Sequence, residues 1–222
     1  MGCRCLFDAP LVGAHIIPPA EIIGAYTGFE LVLEAAGIRS VLYAPLTVAC
    51  PDALADWFFD NAPGICPGDA PLASYAAAQR FEHGLMIWIE ALDAYYVLAD
   101  HDHKVSGDAQ GWSSLTSLRV IRGPLDLKPG ASPENRLAET PPTGRVEPVS
   151  GFGLVWRGEV VGAEGNRGAL GWALEPEYGF DTLYQCEIPC DSYWDCYLQV
   201  PREEVYHLYW LPHMGHYWEV VR

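Results

Sequence analysis

The segment that decides the fold is "AAAQRFEHGLMIWIEALDAYYVL", residues 76–98. After its glutamine it contains the dense apolar run "LMIWIE", the polar break "EALD" and the aromatic and β-branched run "AYYVLA". Such runs are typical of buried strands, and a short polar break between them is typical of a hairpin turn. We therefore predict an antiparallel hairpin here.

A second segment, "TLYQCEIPCDSYWDCYLQVPREEVYHLYW" at residues 182–210, shows the same order of a glutamine and two aromatic strands. Gln79 corresponds to Gln185 and Trp112 to Trp218, and 106 residues separate the members of each pair. A repeat constrains architecture more strongly than local propensity does. The sequence therefore predicts two copies of one unit.

A short amphipathic stretch centred on a tryptophan precedes each copy, at residues 52–64 and 151–162. We interpret each stretch as a short helix. The predicted fold class is therefore α+β, with two related units that each combine a short helix with an antiparallel β-meander.

Residues 122–147 hold five prolines and three glycines and few large apolar side chains. This composition is typical of a linker or of an extended arm on the protein surface. The predicted organisation is an atypical N-terminal segment at 1–49, repeat unit 1 at 50–121, a linker at 122–147 and repeat unit 2 at 148–222.

The N-terminal segment has two interpretations. It resembles a leader, because "IRSVLYAPLTVAC" places Arg39 and a short apolar run ahead of Cys50. Alternatively, it forms a helix over Ala20–Ala36 and then a strand over Ser40–Ala44.

Composition excludes several classes of partner. The chain of 222 residues has 13 basic and 29 acidic residues and a net charge of −16. Nucleic acids and anionic lipid surfaces require clustered Lys and Arg, so neither is an expected partner. A membrane span is not predicted either, because no stretch of about 20 apolar residues occurs.

The seven cysteines favour disulfides. We predict the pairs Cys50–Cys66 and Cys186–Cys196, and with them an extracellular or cell-envelope location. Free thiols and a zinc site remain alternatives, although only the spacing of Cys186 and Cys190 comes close to that of zinc ligands. No partner is assigned to Cys3, Cys5 or Cys190.

Four motifs resemble a known repeat family: "RFEHGLMIW" (80–88), "PVSGFGLVWRG" (148–158), "LGWALEPE" (170–177) and "GFDTLYQCE" (179–187). They resemble the LGFP repeat and related repeats of secreted and cell-surface bacterial proteins. The match departs from the LGFP pattern at Trp172 and Ala173. The resemblance implies an extracytoplasmic wall-associated or ligand-binding module without assigned catalysis.

Motifs for nucleotide binding, zinc proteases and serine hydrolases do not occur in the chain. Histidines cluster at 101 and 103 and again at 207, 213 and 216, but a polar loop explains both clusters as well as a metal does. We therefore predict no catalytic residue, no metal and no cofactor. The runner-up is a secreted hydrolase that uses acidic residues in a cleft between the repeats, with candidates Glu82, Glu90, Asp93, Glu175, Glu177 and Glu187.

Aromatic side chains are the most informative feature for function, because eight Trp and twelve Tyr exceed what the core requires. Trp88, Trp156 and Trp172 lie in apolar runs and are predicted core residues. Aromatic residues beside polar groups are candidates for contacting a glycan, a cell-wall polymer or a protein at the cell surface. These candidates are Tyr95, Tyr193, Trp194, Tyr209, Tyr217 and Trp218. The leading prediction is a non-catalytic extracytoplasmic binding or structural repeat module.

Overall fold

The computed structural model describes residues 28–35, 38–45, 56–63, 66–100, 117–137, 140–187, 195–201, 204–211 and 215–221. The chain divides into two compact units. The first comprises Met1–Leu72, Gln185–Cys196 and Arg222, and the second comprises Ala73–Tyr184 and Tyr197–Val221. The boundaries that the sequence suggested for two repeat units stay a prediction.

The first unit contains a hairpin of β1 (Gly28–Ala35) and β2 (Ile38–Pro45), which pair antiparallel. The alternative helix over Ala20–Ala36 is therefore wrong for residues 28–35, whereas the strand expected at Ser40–Ala44 lies within β2. Only an Ala-Gly pair separates the two strands in the sequence. A two-residue connection with glycine suits a hairpin, and pairing along both strands overrides the helical propensity of the alanines and glutamates.

The first unit also contains the disulfide between Cys186 and Cys196, as predicted. Cys66 forms a disulfide as well. Its expected partner, Cys50, lies outside the described residues, so the pairing Cys50–Cys66 stays a prediction. Residues 56–63 form turns, and the short helix expected around Trp57 does not occur within this range.

The main sheet has eight strands, namely β3 (Leu72–Phe81), β4 (Gly84–Ile89), β5 (Ala94–Ala99), β6 (Ser117–Arg122), β7 (Tyr178–Cys186), β8 (Asp195–Val200), β9 (Glu204–Leu211) and β10 (Gly215–Val221). Their order in the sheet is β10-β9-β8-β7-β3-β4-β5-β6. Two four-stranded meanders, β3 to β6 and β7 to β10, therefore lie side by side and meet where β3 pairs with β7. Neighbouring strands within the first meander run antiparallel, as do β9 and β10.

The sheet is curved and nearly closed, as its edge strands β6 and β10 lie against each other. The indole Nε1 of Trp218 in β10 donates a hydrogen bond of 3.1 Å to the carbonyl oxygen of Ala99 in β5. In the described chain, helix is limited to α1 (Ser150–Arg157), α2 (Asn166–Leu170) and a single 3₁₀ turn at Glu90–Leu92.

The predicted fold class, α+β with two helix-plus-meander units, is therefore wrong, and the protein is mainly an antiparallel sheet. Both α-helices lie in the connection between the two meanders. The amphipathic stretch at 151–162 forms α1, which ends at Gly158 with a φ of 74°. The described residues around Trp57, 56–63, form no helix, so a tryptophan-centred apolar pattern alone did not distinguish helix from turn.

The described part of the connection between the meanders, residues 123–137 and 140–177, packs on one face of the first meander, and we call it the cover layer. Its buried side chains, which include Phe152 and Trp156, form a core with Met86, Val97 and Ile121 of the sheet. Leu125, Ala131, Leu137 and Val146 pack against this core. The stretch predicted as a linker or extended arm thus belongs to the packed layer and holds α1 against the sheet.

Candidate functional site

An open groove lies where the two meanders meet, across strands β3, β7 and β8. Its volume of about 400 Å³ falls at the lower end of the range of about 300–1,000 Å³ typical of small-molecule sites. The lining residues are Ala73, Ser74, Tyr75, Asp181, Thr182, Leu183 and Gln199.

Tyr75 is the most exposed aromatic side chain of the groove, with 47% of its surface accessible. Its hydroxyl lies over Gly179 in β7, so closely that a Cβ at position 179 would collide with it. The absence of a side chain at Gly179 therefore allows the hydroxyl end of Tyr75 to approach the neighbouring strand closely. Leu72, one residue beyond the groove, is also exposed at 37%. A flat aromatic ring next to polar side chains suits a ligand that has both an apolar face and hydrogen-bonding groups.

The polar side chains of the groove divide into two kinds. The hydroxyls of Ser74 and Thr182 bind backbone groups of the protein itself. The Ser74 hydroxyl accepts a hydrogen bond of 3.0 Å from the Ala91 N–H, and the Thr182 hydroxyl donates one of 2.6 Å to the Gln199 carbonyl oxygen. The side chains of Asp181 and Gln199, by contrast, make no hydrogen bond to any residue that the structure describes. A carboxylate and an amide are therefore available to a ligand.

A row of aromatic residues continues from Tyr75 across the first meander. Tyr75 and Ala77 share one face of β3 because side chains alternate along a strand. Ala77 lies opposite Trp88 in β4, and Trp88 lies opposite Tyr95 in β5. The Trp88 and Tyr95 ring centroids are 6.4 Å apart. The indole Nε1 of Trp88 lies 3.4 Å from Asp93 Oδ1, which adds a carboxylate to the row.

Tyr95 is the one member of this row among the predicted ligand-binding residues. Its ring packs edge-on against Phe152 of the cover layer, with centroids 5.7 Å apart. Burial, together with the nearby carboxylates of Asp93 and Glu177, raises the pKa of Tyr95 to about 12. The phenol therefore stays protonated at neutral pH and can donate a hydrogen bond. Burial also raises the pKa of Glu177.

Tyr209, Tyr217 and Trp218 lie in the second meander, away from this row. His207 stacks between Tyr197 and Tyr209 with centroid distances of 4.6 and 4.8 Å, and the Tyr209 and Tyr217 centroids are 5.9 Å apart. Tyr217 is buried. The structure thus packs Tyr209 and Tyr217 against each other, whereas Trp218 packs against Tyr206 with centroids 5.3 Å apart. The other two candidates, Tyr193 and Trp194, lie outside the described residues.

Glu82, one of the carboxylates considered for a hydrolase, has a structural role. Its Oε1 lies 2.7 Å from Arg145 Nε, and its Oε2 accepts a hydrogen bond of 3.0 Å from the Trp172 N–H. The bond from Trp172, followed by that from Arg145, lowers the pKa of Glu82. A carboxylate held ionised in this way is a poor general acid.

The three tryptophans predicted as core differ in burial. Trp156 is fully buried, and its indole donates a hydrogen bond of 2.7 Å to the Gly171 carbonyl oxygen. Trp172 is half-buried, and the Arg167 guanidinium lies 5.2 and 5.1 Å from the Trp156 and Trp172 ring centroids. Trp88 is also half-buried and belongs to the aromatic row.

Sequence reasoning missed Tyr75, Asp181 and Gln199. One signal was present, since the interval of 106 residues that relates Gln79 to Gln185 also relates Tyr75 to Asp181. Within the described ranges, no group of three or more His, Cys, Asp or Glu side chains is arranged to hold a metal ion. Among the same residues, no helix is both long enough and apolar enough to cross a bilayer.

Comparisons with protein families, with characterised proteins and with solved structures give no match. The resemblance to the LGFP repeat therefore stays a prediction.

Proposed function

We propose that the protein is a non-catalytic binding module that takes a neutral glycan or cell-wall polymer in the groove beside Tyr75. The observation that carries this proposal is the exposed Tyr75 ring, whose hydroxyl end lies against Gly179 and which lines the groove together with the available side chains of Asp181 and Gln199. A sugar presents C–H groups on one face of its ring and hydroxyls at its edge. In the groove, the aromatic ring can contact the C–H face of the sugar, and the hydrogen-bonding side chains can contact its hydroxyls.

The charge of the site favours a neutral polymer over a phosphate-bearing one. Asp181 lines the groove, Asp93 lies beside Trp88, and the chain as a whole has a net charge of −16. Like charges would repel an anionic polymer. Carboxylates instead accept hydrogen bonds from sugar hydroxyls, and such bonds are stronger than those between neutral groups.

The disulfides support an extracytoplasmic location for this function. Cys186 is bonded to Cys196, and Cys66 is also disulfide-bonded. Disulfides persist mainly in oxidising compartments, where cell-wall polymers and surface glycans occur.

A direct test is binding of the whole chain to an array of neutral oligosaccharides, with affinities then measured for chitotetraose and cellotetraose. Tyr75→Ala removes the aromatic surface and should weaken binding at least tenfold, which corresponds to about 1.4 kcal/mol. The matched control is Val161→Ala, because Val161 is 53% exposed but lies in the cover layer. Equal binding by the wild type and Tyr75→Ala would refute the assignment of the groove, and failure to bind any glycan would refute the function.

A further inference from the structure

The two meanders match each other residue by residue at their contact. Exposed, half-buried and buried side chains follow the same order in residues 73–80 of β3 and 179–186 of β7. The six residues of β4 and the six of β8 also share one order of burial. The shared order of burial, over eight residues of β3 and β7 and over the six residues of β4 and β8, identifies equivalent positions in the two meanders.

The equivalent positions at the groove carry different chemistry. Tyr75 in β3 is equivalent to Asp181 in β7, since each is the third residue of its matching stretch and each is exposed. Trp88, the fifth residue of β4, is equivalent to Gln199, the fifth residue of β8. The first meander thus has aromatic rings where the second has a carboxylate and an amide.

Pairing of β3 with β7 brings both kinds of residue to one place. Tyr75, Asp181 and Gln199 all line the groove, and Trp88 lies in the aromatic row next to it. A duplicated sheet with unchanged residues would present two equal surfaces. Here each meander alone gives an incomplete groove, because the ring that lines it comes from β3 and the available carboxylate and amide come from β7 and β8.

We infer that the two meanders arose by duplication and that their equivalent residues diverged to form one asymmetric glycan site across the β3–β7 contact. The inference rests on the proposed function and specifies it further. A sugar ring stacks on Tyr75, its hydroxyl edge faces Asp181 and Gln199, and the glycan continues along the row towards Trp88. Each chain therefore binds one glycan in one orientation.

The test is isothermal titration calorimetry of the full chain with chitotetraose and with cellotetraose, using the wild type, Tyr75→Ala, Asp181→Asn and the control Val161→Ala. Circular dichroism and thermal unfolding establish that each variant is folded. We expect one site per chain in the wild type and in the control. We expect Tyr75→Ala and Asp181→Asn each to weaken that one site at least tenfold.

Two sites per chain, one lost in each variant while the other keeps its affinity, would overturn the single asymmetric site and leave glycan binding intact. One site weakened by Tyr75→Ala but unchanged in Asp181→Asn would also overturn the inference, because the second meander would then contribute nothing. Absence of binding by the wild type to both oligosaccharides would overturn the proposed function together with the inference.

Discussion

The side-chain amides of Gln79 and Gln185 make equivalent hydrogen bonds. Gln79 Nε2 donates to the carbonyl oxygen of Glu175, at 2.9 Å, and Gln185 Nε2 donates to that of Asp69, at 2.8 Å. Each acceptor lies three residues before the start of a central strand, Glu175 before β7 and Asp69 before β3. Each glutamine therefore fixes the segment that leads into the strand of the other meander. Both side chains are buried, at 2% exposure.

The two glutamines differ in what binds their carbonyl oxygen, and this difference predicts unequal stability effects. Gln185 Oε1 accepts a bond of 3.2 Å from the Phe58 N–H, and its Nε2 also reaches the Asp56 carbonyl oxygen at 3.3 Å. Gln79 Oε1 is buried and has no hydrogen-bond partner among the residues that the structure describes. We expect Gln185→Met to lower the free energy of unfolding by about 2–4 kcal/mol, because it leaves buried backbone groups unsatisfied.

Gln79→Met serves as the matched variant and should cost about 1 kcal/mol or less, because it loses one bond and removes an unsatisfied acceptor. Urea unfolding of both variants measures the difference. Equal losses would show that the equivalent bonds, and not the additional contacts of Gln185, determine stability.

Reduction of the Cys186–Cys196 disulfide should destabilise the protein. The bond joins residues ten apart, and closing a loop of that size stabilises by about 3 kcal/mol in the chain-entropy model. The double variant Cys186→Ser/Cys196→Ser should therefore unfold at a lower temperature than the wild type under oxidising conditions. In a reducing buffer neither protein has this bond, and both lose the remaining disulfides. Their unfolding temperatures should therefore differ much less.

The ion pair of Arg157 with Glu159 should make stability depend on pH. Arg157 is 4% exposed, and its Nη2 lies 2.9 Å from Glu159 Oε2. The hydrogen bond from Arg157, together with that from Asn135, lowers the pKa of Glu159. A carboxyl with a lowered folded-state pKa stabilises the fold above its unfolded pKa of about 4.3, and this stabilisation disappears as pH falls through the folded-state value.

Arg157→Met should therefore lower the free energy of unfolding by about 2–4 kcal/mol at pH 7, where it removes the cation that lies 2.9 Å from Glu159 and 3.8 Å from Glu147. The loss should shrink as pH is lowered from 5 towards 3, because Glu159 becomes protonated in both proteins. Urea titrations at several pH values measure it. A loss that is constant over this range would show that packing of the Arg157 side chain, and not its charge, is responsible.

Trp218→Phe should weaken the closure of the sheet. It removes the hydrogen bond to Ala99 but keeps an aromatic ring in contact with Tyr206, whose centroid lies 5.3 Å away. We expect a loss of about 1 kcal/mol and faster hydrogen exchange along β5 and β10. Glycan affinity should not change. A loss of affinity with unchanged stability would instead support the ligand-binding role that the sequence suggested for Trp218.

The hairpins were predictable from sequence because their signals are local. The runs "LMIWIE" and "AYYVLA" form β4 and β5, and "EALD" between them forms the 3₁₀ turn and Asp93, whose φ of 42° closes the hairpin. The stretches "YWDCYLQV" and "EVYHLYWL" likewise contain β8 and β9. The fold class was not predictable in the same way, since it depends on the pairing of β3 with β7 and on the cover layer, which are contacts between distant residues.

The site was harder to predict than the strands. Tyr209 and Tyr217 have polar neighbours in the sequence, yet their rings pack together because β9 and β10 place them opposite each other. Tyr75 lies among small residues, and the position of its hydroxyl depends on the absence of a side chain at Gly179, in a strand far away in sequence. Exposure of an aromatic ring is thus a property of the register between strands, which neighbouring residues do not encode.

The central claim is that the glycan binds across the β3–β7 contact. The most direct measurement is a titration of ¹⁵N-labelled protein with chitotetraose, followed by NMR of the backbone amides. We predict that the shifts concentrate at Ser74, Tyr75, Asp181 and Gln199. Shifts confined to Tyr209, Tyr217 and Trp218 in β9 and β10 would contradict the claim and return the site to the aromatic residues predicted from sequence.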